Sequence, residues 1–366
     1  MSHPNAVAAS PSPTLNRSDL VILAGGAAFV VFAGLAHYLH WNQVLAFVVS
    51  AGAVTMLASL VGRSVEQLGD RFGPGATGVL QSALGNLPEL FIAFFALKAG
   101  LVDVVQAAIV GSILANLLLV LGLAFLVGGL KHGTQKLGSE RARTITVLML
   151  LSVTAMLIPS LAHALHSNAD AHEPKFSVIV SVVLLALFAL SLPFSLRKET
   201  GGTKEDVHSE EPRWPVWLAV ALLAIAGVLA AFVSDWFVVA LEPAMAALHI
   251  NQFFAGLVIV AIAGNAIENL VGVQLAAKGN SEYAFSVVLN SPLQIALVLA
   301  PLLVIASQVF GLASLTLVFS PMLVAALLLA VILAAFISFD GESTWLEGAT
   351  LIALYAIIAV SFFWGA

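Results

Sequence analysis

Two glutamates, Glu89 and Glu268, close the same local string, Gly-Asn-x-x-Glu, in GNLPEL at 85–90 and GNAIEN at 264–269. Both strings lie inside long apolar runs. An uncompensated carboxylate in hydrocarbon costs at least about 2.5–3.5 kcal/mol. Two that face each other repel unless they share protons or a cation. Hard oxygen ligands suit Ca²⁺ or a related divalent ion. Asn86 and Asn265 stand three residues before their glutamates, on the same face of a continuous helix, and offer amide oxygens. Gly85 and Gly264 let a helix or an ion approach the backbone. Pro88 lacks the N–H that would bond the Leu84 carbonyl, which then becomes available as a ligand. The candidate metal set is therefore Glu89, Glu268, Asn86, Asn265, Gly85, Gly264 and Leu84. Ser112, Asn116, Ser291 and Gln294 are candidates for the surrounding polar shell. Helix–helix hydrogen bonding is the other reading of Asn86, Asn265, Ser112 and Ser291.

The elements that must position these groups follow from composition. Of 366 residues, 60% are hydrophobic and only 9% charged, and mean hydropathy is +1.04. A soluble domain carries about 25% charged residues, so this chain belongs in a lipid bilayer. A cytosolic enzyme is excluded, as is a nucleic-acid binder, because the net charge is −6 and no basic stretch exists. Cysteine is absent, which removes disulfides, thiolate metal sites and Cys nucleophiles. No cofactor is expected.

Apolar runs lie near 20–40, 41–66, 74–98, 101–130, 142–165, 175–197, 214–243, 250–278, 283–307, 311–338 and 344–365. The reading is an all-α integral membrane protein with 11 transmembrane helices. Residues 1–19 are expected to form a short disordered cytoplasmic tail, and 20–40 an extra helix. A first five-helix unit spans 41–197, an acidic cytoplasmic loop 198–213, and a second five-helix unit 214–366. Twelve of the 14 Lys and Arg residues fall on one side, with only Lys98 and Lys175 opposite. That bias places the N-terminus in the cytoplasm and the C-terminus outside. Short loops and the lack of targeting extensions favour a prokaryotic cytoplasmic membrane.

The two units are related. At the offset of 179 that aligns the two strings, Ser112 falls on Ser291, Leu114 on Leu293 and Leu118 on Leu297. Five spans is an odd number, so the second unit is inverted, and inverted repeats with a midplane site are a transporter signature. Glu89 precedes Lys98 by nine residues and Glu268 precedes Lys278 by ten. At 1.5 Å per residue, each reaches roughly the centre of a core about 30 Å thick, measured from opposite faces. Glu66 and Glu242 end spans two and seven, where carboxylates would draw cations to opposite mouths. Solvated helix ends explain them equally well. His37, His40, His163, His166, His172 and His249 read as interfacial residues, and no metal site is expected among them. The stretch RKETGGTKEDVHSEEPR at 197–213 is a sensor of cytosolic Ca²⁺ through its local negative potential, or a flexible linker.

Several strings resemble the calcium/proton exchanger (CAX) family of the cation/Ca²⁺ antiporter superfamily. They are GNLPEL, VGSILANLLLVLG at 110–122, ALEPAMAALHINQFFAGLVIVAIAGNAIEN at 240–269, NSPLQIALVLAP at 290–301 and DGESTWLEG at 340–348. The resemblance implies an extra first helix, two inverted five-helix repeats and an acidic segment between them. It also implies that Glu89 and Glu268 bind Ca²⁺ with nearby carbonyls and amides, and that Glu66 and Glu242 are the accessory acids. Where the family commonly reads GNATEL, this chain has Leu87 and Pro88, and Asn269 stands where a His commonly follows the second Glu. The expected function is secondary antiport of Ca²⁺ against H⁺ by alternating access, with no enzymatic activity. Na⁺-driven Ca²⁺ exchange is the alternative. A cation channel or an intramembrane enzyme fits less well, since HExxH, GxGD and GxSxG strings are absent.

Overall fold

The computed structural model describes residues 15–72, 80, 84–137, 140–196 and 213–365; some side chains within helices, those of 266–270 among them, lie outside the description. Residues 1–14 of the tail expected at 1–19 and residues 198–212 of the acidic loop expected at 198–213 fall outside it. Hydrocarbon offers no partner to a peptide group, so apolar runs satisfy their backbone internally as helices. The helices are α1 (Arg17–Tyr38), α2 (Gln43–Phe72), α3 (Leu87–Lys98), α4 (Val102–His132), α5 (Glu140–Ala164), α6 (Glu173–Leu196), α7 (Val216–Leu248), α8 (252–277), α9 (Ser281–Val309), α10 (Pro321–Asp340) and α11 (Trp345–Phe363). Among the described residues, eight helices are long and apolar enough to cross a membrane, and Gln252–Asn265 and Pro321–Ile337 are shorter apolar pieces. A two-residue antiparallel pair, β1 (Gln135–Lys136) with β2 (Glu342–Ser343), ties the end of α4 to the start of α11.

Local chemistry sets the ends. Helix α1 starts at Arg17, inside the stretch expected to be tail, because Asn16 caps it and Asp19 completes a reciprocal capping box. That satisfies two otherwise orphaned N–H groups. The run at 311–338 becomes helical only at Pro321, with Ser320 as N-cap. Proline suits the first turn, where its missing N–H costs nothing. Residues 311–320 form an irregular, non-helical strap instead.

Helices α4 and α9 are the centre of the molecule: 83% of the apolar window of each is buried, against 17% for α1 and α6. Helices α2 and α7 pack antiparallel. Arg71 Nη2 donates to the Trp214 carbonyl at 2.6 Å where α2 ends and α7 begins, while Phe47 and Phe237 meet with ring centroids 5.0 Å apart at the other end. Helices α4 and α8 cross almost backbone to backbone through Gly111 and Gly256. A Cβ on Gly256 would lie 2.8 Å from the Ala107 Cβ, and one on Gly111 would overlap the Leu257 backbone. Small residues at such crossings let helices associate where lipid gives no hydrophobic drive.

Among the described residues, three helices carry a π-helical turn: Ala115–Val120 in α4, Ala255–Val260 in α8 and Ile295–Leu299 in α9. Adding 179 to 115–120 gives 294–299, so the turns in α4 and α9 nearly coincide under the offset that relates the two glutamate strings. Such turns widen the helix locally and recur at functional sites.

Candidate cation site

Glu89 lies in the first turn of α3, and α3 does not continue the run expected at 74–98. Residues 85–86 form a turn and the helix starts at Leu87. Asn86 is its N-cap, with φ −94° and ψ 20°, and makes no side-chain cap hydrogen bond. Asn86 and Glu89 therefore do not share one continuous helical face as the spacing suggests. Pro88 occupies a first-turn position, where it breaks no bond inside the helix, though it still withholds an N–H from the Leu84 carbonyl. Asn86 is buried, and its Nδ2 has no acceptor among the described residues. A half-turn of the amide presents its oxygen there instead.

The Glu89 side chain crosses from α3 to α8 and rests on Gly264. A Cβ built on Gly264 would stand 2.7 Å from Glu89 Cγ and 3.1 Å from Oε1. The two Gly-Asn-x-x-Glu strings thus meet in space, although 179 residues separate them. Glu268 lies one turn after Gly264 in the same helix, about 6 Å further along the axis. Its side chain is outside the described residues.

Behind this contact, four buried polar side chains from three helices form one network. Asn265 Nδ2 donates to Ser112 Oγ at 2.9 Å and to the Ala261 carbonyl at 2.9 Å. Asn116 Nδ2 donates to the Ser112 carbonyl at 2.9 Å, to Asn265 Oδ1 at 3.2 Å and to Ser291 Oγ at 3.3 Å. Asn116 is wholly buried, and its Oδ1 receives no hydrogen bond from the described residues. Gln294 is also buried, at the entry to the α9 π turn. A cavity of about 20 Å³ adjoins Glu89 and Ser112, room for a water molecule or one ion. Its other walls are apolar, including Ile92, Ala96, Val104, Ile109, Val260 and Leu299. Carboxylate and hydroxyl oxygens on the wall of an otherwise apolar cavity are the donor type that hard cations take.

The sequence profile of the sodium/calcium exchanger protein family matches residues 42–197 and 218–364. The chain belongs to this family. It is 35% identical to "Ca(2+)/H(+) antiporter" of Aphanothece halophytica over 95% of its own length and 97% of the relative. It is 36% identical to "Ca(2+)/H(+) antiporter ChaA" of Bacillus subtilis (strain 168) over 95% and 99%. Among solved structures it resembles native YfkE with a TM-score of 0.80 at 34% identity, covering 94% of this chain and 99% of that one.

Within this exchanger the structure joins Glu89, Gly264, Asn265, Ser112, Asn116 and Ser291, and places Gln294 one turn from Ser291. It does not bring Glu66 or Glu242 to them. Both are exposed on antiparallel α2 and α7, near opposite ends of that pair. Glu66 pairs with Arg63 at 3.2 Å. Sequence reasoning missed Thr55, whose Oγ1 donates to the Ala263 carbonyl at 3.2 Å and links α2 to the residue before Gly264. Thr55 is the single threonine among the serines Ser50, Ser59 and Ser64 of α2, so nothing in the sequence set it apart. It also missed the cluster that binds α1, α2 and α7 together. Buried Trp214 donates Nε1 to Asp19 at 3.3 Å, Asp19 pairs with Arg63 at 3.2 Å, and Gln67 Oε1 accepts from the Trp214 amide at 3.0 Å.

Proposed function

We propose that this protein is a secondary antiporter that exchanges Ca²⁺ for H⁺ by alternating access, with Glu89 and Glu268 as the carboxylates of its cation site. The observation that carries the reading is the contact of Glu89 with Gly264, one turn from Glu268. Relatives that span nearly the whole chain carry the name Ca²⁺/H⁺ antiporter. When both carboxylates are ionised they hold Ca²⁺, with amide and carbonyl oxygens of Asn86, Asn265, Gly85, Gly264 and Leu84 as further ligands. Without the metal, mutual repulsion favours protonation, so protons and Ca²⁺ exclude each other. Only a charge-neutralised site crosses between the two access states, because bare carboxylates are costly against apolar walls. Ser112, Asn116, Ser291 and Gln294 fix the helices that surround the site, and Glu66 and Glu242 attract cations at opposite entrances.

The layout we infer has eleven spans: an extra first helix and two inverted five-helix units at 41–197 and 214–366. The two profile matches, 42–197 and 218–364, and the corresponding π turns of α4 and α9 support it. The Lys and Arg bias supports a cytoplasmic N-terminus and an external C-terminus, and the short loops support residence in a prokaryotic inner membrane. The test is Ca²⁺ uptake into vesicles driven by a pH jump without Na⁺. Wild type is expected to transport, and Glu89→Gln and Glu268→Gln to lose exchange while remaining folded. Transport that needs Na⁺ and ignores the pH jump would overturn proton coupling. Near-normal exchange by Glu89→Gln would overturn the site.

A further inference from the structure

The connection between α5 and α6 gathers a histidine, a kind of ligand that the cation site lacks, beside two carboxylates. His163, Asp170 and Glu173 each bring one ligand atom to within 4.8 Å of the others. We infer that they form a site for a divalent transition-metal ion, separate from the transport path, and that its occupancy braces the 311–320 strap against the helices that hold the cation site.

The three donors come from three segments: the last turn of α5, the short 3-10 turn Asp170–His172 and the first residue of α6. The chain between them is fixed by its own backbone. His166 takes φ 49°, and its amide donates to the His163 carbonyl at 3.0 Å, while Ser167 closes on Ala162 at 3.0 Å and Asp170 on Ser167 at 3.0 Å. His163 Nδ1 lies 2.7 Å from Asp170 Oδ1. Glu173 Oε1 accepts from Thr316 Oγ1 at 2.6 Å, which leaves its second oxygen for a ligand. Two carboxylates this close repel, and a divalent cation between them removes the repulsion. Ca²⁺ takes oxygen ligands. One imidazole with two carboxylates instead matches Zn²⁺ or Co²⁺, with water completing the coordination. His163 is half exposed, so an ion reaches the group from solution.

Thr316 connects this group to the transport helices. Alternate amides of the strap are taken by serine hydroxyls: Leu315 by Ser307 at 3.1 Å, Leu317 by Ser177 at 3.0 Å and Phe319 by Ser160 at 2.9 Å. On α4, Gln106 Nε2 donates to the carbonyls of Thr316 at 3.2 Å and Val318 at 2.9 Å. The Ala313 amide donates to the Leu97 carbonyl, in the last turn of α3, at 3.3 Å. One strap therefore touches α3, which carries Glu89, and α4, which carries Ser112 and Asn116. A metal that fixes Glu173 fixes Thr316, and with it the strap. Motion of α3 and α4 past α5 and α6 must break these bonds, so an occupied site slows exchange. This second half rests on the alternating-access reading above.

The experiment titrates Co²⁺ into the purified full-length protein, reads its visible absorption, displaces it with Zn²⁺, and measures Ca²⁺/H⁺ exchange in vesicles with and without Zn²⁺. Wild type is expected to bind one Co²⁺ per chain. His163→Ala and the near-isosteric Asp170→Asn should bind at least about tenfold more weakly, with exchange in metal-free buffer retained. Zn²⁺ should slow wild-type exchange and spare His163→Ala. Glu89→Gln, silent in exchange, should still bind Co²⁺. Co²⁺ binding that survives both His163→Ala and Asp170→Asn, or is lost in Glu89→Gln, overturns the site. Equal slowing of wild type and His163→Ala by Zn²⁺ overturns the bracing. Metal binding by a wild type that exchanges no Ca²⁺ would overturn the transport reading and leave this site standing.

Discussion

Glu89 owes its position to the absence of a side chain on Gly264. A methyl at that point would sit 2.7 Å from Glu89 Cγ, well inside van der Waals contact, so the glutamate must move and its carboxylate with it. Gly264→Ala is therefore expected to weaken apparent Ca²⁺ affinity about ten- to hundredfold, the scale of a misplacement near 1 Å, with little loss of thermal stability. Ca²⁺ titration of vesicle uptake reads it, and an unchanged half-saturation would remove the contact from the site. Asn116 poses a different question. Its Nδ2 bonds Ser112, Asn265 and Ser291, while its buried Oδ1 is unmet among the described residues. Asn116→Leu keeps the volume and removes an interhelical link worth about 1 kcal/mol. A fall in melting temperature without loss of exchange would make the residue structural glue; loss of exchange at normal stability would make it part of the site.

Helices α4 and α8 must touch for Ser112 to reach Asn265 beside the Glu89–Gly264 contact, and Gly111 and Gly256 permit that approach. Gly256→Leu would push the helices apart, overpacking a crossing at a cost of about 1–3 kcal/mol. Lower detergent-melting temperature together with lost exchange is the expected pair of results. Loss of exchange should exceed that of a distant substitution with the same stability cost. The same scale explains the break before α3. Read as a span, 74–98 is one apolar helix. In the fold Asn86 leaves helical geometry and Leu87 begins a new helix, so Glu89 occupies a helix start, where the positive end of the dipole favours an anion. Glycine, asparagine and proline in close succession are turn residues, and that signal was present in the string. The equivalent residues at 264–269 lack the proline and stay helical in α8.

Across the whole molecule, α1 and the start of α7 are fastened to the end of α2 through one buried tryptophan. Trp214 meets Asp19, Gln67 and Arg71, directly after the acidic loop. Trp214→Ala removes a wholly buried ring and is expected to cost about 3–5 kcal/mol. Thermal unfolding in detergent should fall clearly. Trp217→Phe, a change at an exposed ring, is the nearly silent control. A melting temperature unchanged by Trp214→Ala would mean that the fastening contributes nothing. Trp217 and Trp214 are alike in sequence, three residues apart, yet one is buried and the other exposed.

Composition and periodicity alone determined that this chain lives in lipid as helices, because 9% charge cannot wet a soluble surface. The repeated Gly-Asn-x-x-Glu marked the carboxylates, because such groups are too costly in hydrocarbon to persist without a role. Residue order also carried the family, across strings from 85 to 348. Tertiary structure decided which polar groups meet. Asn265 bonds Ser112 on α4, Asn116 bonds Ser291 on α9, and Glu89 lies on Gly264. These pairings join residues 153 to 175 positions apart, and helix crossings set them, which a helical period along one segment does not encode. The same holds for His163. Its sequence setting is that of an interfacial residue, and only the turn that returns Asp170 and Glu173 beside it makes three ligand atoms converge.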